Sequence, residues 1–228
     1  MATMKCSCSQ VALCFASTKP LHGWECLCVD CYDRNIYAIK QTGEAMPEGI
    51  STTHGEGNGL KVYYFANCIK VMRGRELITF SRIRSGAPVI GLTASCCGAL
   101  MTVESPRYNG KIVGVYPEFR PLENVSLRPL TTRVHINDFP RERLAMLPPK
   151  PGMFRDEAGA VQIRPLDDPL MLRAMRAFAM VTETPMTDET ETRGGESVAE
   201  LIASIADGVV TTLEIPEGKN SARLTGRR

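Results

Sequence analysis

No apolar run in the sequence approaches the ~20 residues that a membrane-spanning helix needs, so no transmembrane segment is expected. The stretch from Met1 to Ala16 has no basic opening and its apolar part is broken by Cys and Ser, so no secretory leader is expected either. There is no excess of charge: Lys and Arg exceed Asp and Glu by a net +2, too balanced to point to a nucleic acid or a membrane as partner. No internal repeat is visible. The glycines from Gly55 to Gly59 do not fit the spacing of a phosphate loop between a strand and a helix, which argues against nucleotide binding.

With 228 residues, 43% of them hydrophobic, the chain suffices for one domain with an appendage or for two small domains, each with a real core. Fifteen prolines and nineteen glycines imply many turns and suit short strands better than long helices. Apolar runs predict strands at Val11–Phe15, Lys61–Phe65, Ile69–Met72, Leu77–Ile83, Val89–Ala94, Leu100–Val103 and Lys111–Tyr116. Turn residues separate them, which predicts an antiparallel meander over residues 1–116. A short helical turn is expected between Cys26 and Lys40.

Beyond Pro117 the character changes. Residues 117–182 are rich in Pro and Arg and contain a helix expected near 170–181, opened by Asp167-Asp168-Pro169, with Leu170, Ala174, Ala177 and Phe178 on one face. Residues 183–228 read as a polar linker up to Glu196, a short helix opened by the capping box Ser197–Glu200, and a basic tail from Lys219 to Arg228.

The cysteines carry the chemistry. There are nine, an odd number, without the leader or short length of a secreted disulfide scaffold, so they are expected reduced in an intracellular, cytoplasmic setting. Cys14 and Cys68 sit alone inside strand patterns and read as buried thiols. The remainder form three groups: Cys6-Ser7-Cys8, the run Cys26-Leu27-Cys28-Val29-Asp30-Cys31, and Cys96-Cys97-Gly98. Zinc takes four tetrahedral ligands, and thiolates neutralise part of its charge. A C-x-C pair joined by a pair from a distant hairpin can close a site, whereas C-x-C-x-x-C can wrap one ion and leave a position open, as catalytic zinc requires.

The order and spacing of these three groups resemble the glutathione-dependent formaldehyde-activating (GFA) family, shared with centromere protein V, over about residues 4–116. The resemblance implies a mainly β fold, the β-tent, with a C-terminal extension of one or two helices. It implies two zinc ions: a structural one on Cys6, Cys8 and Cys97, and a second on Cys26, Cys28 and Cys31, the residues to which catalysis is assigned. The family's usual C-x-x-C-G is altered, since Ala94 stands three residues before Cys97 and Cys96 is the substitute ligand. The vicinal pair resembles a bacterial variant of the superfamily. Ser9 stands where glycine commonly follows the first motif.

The implied activity is that of a carbon–sulfur lyase acting on an adduct of a small thiol such as glutathione. Its carboxylates would need cations, and Arg73, Arg75, Arg82 and Arg84 are the candidates if alternate side chains share one face. Asp30, Asp33 and Arg34 flank the trio as possible supporting groups. His22 and His54 read as loop residues, and His135, outside the cysteine-bearing region, as a surface or packed one. The rival reading is a non-catalytic zinc scaffold whose C-terminal region binds a protein partner. A third is redox sensing by Cys96-Cys97 or the C-x-x-C pair.

Overall fold

A computed structural model of the chain describes residues 1–155, 160–164, 168–183 and 194–215. Among these the chain is mainly β, with two sheets. The smaller has four strands in the order β10 (Leu122–Glu123), β1 (Ala2–Lys5), β2 (Ala12–Phe15) and β5 (Ile69–Arg73). The larger runs β13 (Val161–Arg164), β12 (Gly152–Arg155), β11 (Arg133–Val134), β3 (His22–Cys26), β4 (Leu60–Ala66), β9 (Ile112–Val115), β8 (Ala99–Glu104), β7 (Ile90–Ala94), β6 (Ile78–Arg82) and β14 (Thr211–Thr212).

Each of the seven expected strands is present, with ends moved by a residue or less. The meander is real where β6, β7, β8 and β9 pair antiparallel in sequence order. Three parallel pairings, β3 with β11, β11 with β12, and β6 with β14, were not expected. They bring chain from beyond residue 117 into the large sheet.

The large sheet is covered on both faces, and β4 shows why. Its alternate side chains Tyr63 and Phe65 enter one core, while Leu60, Val62 and Tyr64 enter the other. On the first face lie Met4, Leu13 and Phe15 of the small sheet, with Phe15 stacked on Phe65 at 4.9 Å between ring centroids. Each such side chain, once fully buried, contributes about 1.5–3 kcal/mol.

Helix α4 (Val198–Ile205) closes that core with Val198 and Leu201. Its expected capping box is present, with Ser197 Oγ accepting from Glu200 N and Glu200 returning to Ser197 N.

On the second face lie α1 (Val29–Thr42) and α3 (Pro169–Glu183). A four-residue helix, α2 (Arg141–Leu144), lies between them in the chain. The turn expected near Cys26–Lys40 is thus a 14-residue helix, ended by Gly43 in the left-handed conformation. Its buried side includes Arg34 and Asn35, which interrupt the apolar pattern.

Arg34 reaches over β7 to the carbonyls of Ser81 and Val89, at 3.2 and 2.8 Å. It passes where Gly91 has no side chain, since a Cβ there would lie 2.8 Å from its Nη1.

In α3, Asp168 Oδ1 accepts from the backbone of Leu170 and Met171, with Pro169 as the first helical residue, as expected. The buried face is Met171, Ala174, Met175, Phe178 and Val181, and Leu170 is 46% exposed. Of the expected face, Ala174 and Phe178 are in place, whereas Met171 and Met175 pack where Leu170 and Ala177 were expected.

The expected linker falls largely on residues 184–193, and the basic tail on 219–228; both lie outside the described residues. Among the described residues no helix is long and apolar enough to cross a membrane.

Candidate metal centres

The first cluster forms where two hairpin turns meet. In the β1–β2 turn, Ser9 N donates to Cys6 O at 2.9 Å, and Cys6 N to Val11 O at 3.0 Å. Ser9 has φ +59°, the left-handed backbone that glycine adopts freely, which gives a physical meaning to the position glycine commonly fills.

In the β7–β8 turn the backbone N–H groups of Cys97 and Gly98 both donate to Ala94 O, at 3.3 and 2.8 Å. The left-handed residue of that turn is Gly98, at φ +77°, not either cysteine. Ala94 thus supplies the carbonyl that folds the turn, and it is the Cys96 sulfur that joins the cluster.

The sulfurs of Cys6, Cys8, Cys96 and Cys97 lie within 4.8 Å of one another. Separations are 3.6 Å for Cys6–Cys8, 3.8 Å for Cys6–Cys96 and 3.2 Å for Cys8–Cys96. Tetrahedral zinc with bonds of ~2.3 Å places sulfurs about 3.8 Å apart, so this set fits a metal ion such as zinc.

Burial pushes the Cys6 and Cys96 thiols up. Burial acts on Cys97 in the same sense, but backbone N–H donors from Cys8 and Ala99 outweigh it and hold this thiol at about 7. The negative charge gathers on Cys97.

The second cluster is built at the junction of β3 and α1. Cys26 ends the strand and Cys28 caps the helix, its sulfur accepting from Cys31 N at 3.3 Å. Cys26 Sγ lies 3.3 Å from Cys28 Sγ and 3.6 Å from Cys31 Sγ.

Hydrogen bonds from Cys26 and Cys28 hold Cys31 well below the ordinary thiol range, with a further bond from the Tyr116 side chain. Cys28 is pushed up by hydrogen bonding with Cys26 and Cys31. For Cys26, the bond with Cys28 pulls down, but donation to Cys31 and burial outweigh it, and it too goes up. Of the three, Cys31 is the sulfur whose surroundings favour the thiolate, and it sits in the first turn of a helix, where the dipole favours an anion.

Histidine 135 belongs here, contrary to its reading as a surface or packed residue remote from the cysteines. Strand β11 runs parallel to β3, with Val134 paired to Cys26 and Leu27 N donating to Val134 O at 3.0 Å. The next residue, His135, brings a ring nitrogen within 4.8 Å of the Cys26 and Cys28 sulfurs. Nothing in the sequence marks this, since a lone histidine more than a hundred residues from its partners has no spacing to read.

The other histidines stay apart from the sulfurs. His22 packs among Trp24, Tyr64 and Phe178. His54 lies in a loop, as expected, but is buried, with Nε2 on Leu27 O at 2.9 Å.

The four arginines do not share a face. Arg73 ends a strand of the small sheet and bonds Ser9 O. Arg75 pairs with Glu196, while Arg82, in the large sheet, reaches Ala87 O at 3.4 Å. Arg84 is held by Asp30 and Asp33, at 2.5 and 3.6 Å. The alternation expected along one strand fails because a turn at Gly74 divides the stretch between two sheets.

No family model matches the chain, and no curated protein matches it in sequence.

Proposed function

We propose that the chain is a two-zinc protein of the GFA-like kind, a β-tent with a structural site at Cys6, Cys8, Cys96 and Cys97 and a small-thiol site at Cys26, Cys28 and Cys31. The observation that carries this reading is the coexistence of a four-sulfur group with a separate one in which the Cys26 sulfur lies 3.3 Å from that of Cys28 and 3.6 Å from that of Cys31. When bound at the second site, zinc supplies a Lewis acid and a soft partner for thiolate sulfur.

The chain's own groups prepare that site. The β3–α1 junction orients three sulfurs, Tyr116 hydrogen-bonds the Cys31 thiolate, and the α1 N-terminus favours negative charge. Burial pushes the hydroxyls of Tyr64, Tyr108 and Tyr116 up, so they stay protonated donors. On this reading the substrate is an adduct of a small thiol such as glutathione, and the reaction that of a carbon–sulfur lyase.

A non-catalytic scaffold is the second reading. It is favoured by the arginines, which are engaged within the fold rather than turned together toward a substrate carboxylate.

Metal analysis with glutathione titration separates the two. The small-thiol reading expects two zinc ions per chain, one lost on Cys28→Ser, and saturable glutathione binding that disappears with it. Two zinc ions with no thiol binding would leave the scaffold.

A further inference from the structure

We infer that the His135 imidazole is the fourth ligand of the second metal site, closing a three-sulfur, one-nitrogen shell that an incoming thiol would have to open. The inference rests on the two-site reading above and deepens it. Three observations carry it.

The first is topological. The parallel register of β3 and β11 ends both strands at the same level, with Val134 opposite Cys26, so that the chain leaving β11 must pass the β3–α1 junction. His135 is the first residue to do so.

The second is distance. Its ring nitrogen and the sulfurs of Cys26 and Cys28 all lie within 4.8 Å of one another. Zinc with bonds of ~2.3 Å to sulfur and ~2.0 Å to nitrogen sets a sulfur–nitrogen separation of about 3.5 Å, inside that limit; Cys31 lies outside this group of three and joins it through Cys26, at 3.6 Å.

The third is backbone. His135 has φ +61° and ψ +38°, an uncommon left-handed conformation for a residue with a side chain, at the start of the short turn Ile136–Asp138. Strain of this kind is retained where a side chain must be aimed.

Asp30 is held by Arg84 and Tyr116 by Cys31, and His54, whose Nε2 bonds Leu27 O, does not fall in the group that gathers Cys26, Cys28 and His135. His135 also differs from the sulfurs in origin. The trio comes from one short segment and His135 from a separate one, so the imidazole can leave while the chelate stays intact.

Cadmium NMR on the full chain tests this, because its resonance position distinguishes four-sulfur from three-sulfur, one-nitrogen coordination. The wild type is expected to show one resonance of each kind. His135→Asn, which tolerates the left-handed backbone, should move the second resonance out of the mixed-ligand range and leave the first in place, the latter reporting an intact fold. His135→Cys should convert the second to the four-sulfur position. A second resonance that does not move in either variant overturns the assignment.

Glutathione added to the wild type should also shift that resonance to the four-sulfur position. If it shifts neither wild type nor His135→Asn, while the substitutions still act, the thiol reading fails and the ligand assignment stands.

Discussion

Cys6 and Cys8 come from a turn of the small sheet, and Cys96 and Cys97 from a turn of the large one. On the opposite face of the large sheet, Cys26, Cys28 and Cys31 come from six consecutive residues, with His135 laid alongside by strand pairing. Both gather soft ligands, but a metal in the first ties together chain segments about ninety residues apart, as Cys6 and Cys96 are. In the second it mostly organises a segment that β3 and α1 already hold. The first cluster is thus a brace between sheets, and the second a local chelate whose ligands are pre-positioned by elements with their own reasons to fold.

That contrast is broken most directly at Cys97. Cys97→Ser removes the candidate ligand whose thiol is held at about 7 and should release the clasp between the hairpins. A covalent link closing a loop of this size contributes about 5 kcal/mol, and a four-sulfur metal clip is expected to be worth at least that. Thermal unfolding of the metal-loaded protein should shift down by a corresponding amount, with one metal lost per chain. Cys28→Ser should lose one metal with a far smaller shift. Equal destabilisation by the two substitutions would erase the distinction between brace and chelate.

A smaller effect, confined to the surroundings of the second cluster, concerns pH. His22 lies on β3 opposite Tyr64, its buried Nε2 has no hydrogen-bond partner among the described residues, and burial lowers its pKa to about 4. An unfolded histidine titrates near 6.5, so between these values the unfolded chain takes up a proton that the folded one refuses. Stability due to neutral His22 is therefore complete above pH ~6.5 and lost as pH falls toward 4, by about 3 kcal/mol in all. His22→Phe should flatten the fall in unfolding temperature over that window relative to the wild type. Loss of metal from protonated thiolates affects both proteins, so the difference between them isolates the imidazole. Parallel curves would remove His22 from the account.

How far these features were legible depends on how local they are. The seven strands were, because each carries an apolar run between turn residues, and so was the capping box at Ser197 and Glu200. Strands β10, β11 and β14 are two residues long and have no period to detect. Helix α1 was read as a turn because Arg34 and Asn35 occupy its buried side, satisfied by the carbonyls of Ser81, Val89 and Cys31, a compensation invisible without the fold. The candidate site divides the same way. The cysteine groups could be read from spacing, and Cys96 as a candidate only through what the resemblance implied for the third motif. His135 could not, because parallel pairing of β3 with β11 is what brings it in.

The finest contrast lies within the second cluster, in the double role of Cys28. Its sulfur is a candidate ligand and also the N-cap of α1, accepting from Cys31 N. Serine is a good cap, since its oxygen accepts the same backbone hydrogen, whereas alanine leaves that donor unsatisfied. In metal-free protein, Cys28→Ser is therefore expected to unfold within a few tenths of a kcal/mol of the wild type, and Cys28→Ala about 1 kcal/mol below it. Both should lose the same metal when zinc is supplied, because neither carries a thiolate. Urea titration of the two apo variants checks the first statement, and metal content the second. If serine and alanine prove equally destabilising without metal, the cap is not what holds the start of α1, and the claim that this site is prepared by the fold rather than by its metal loses its main support.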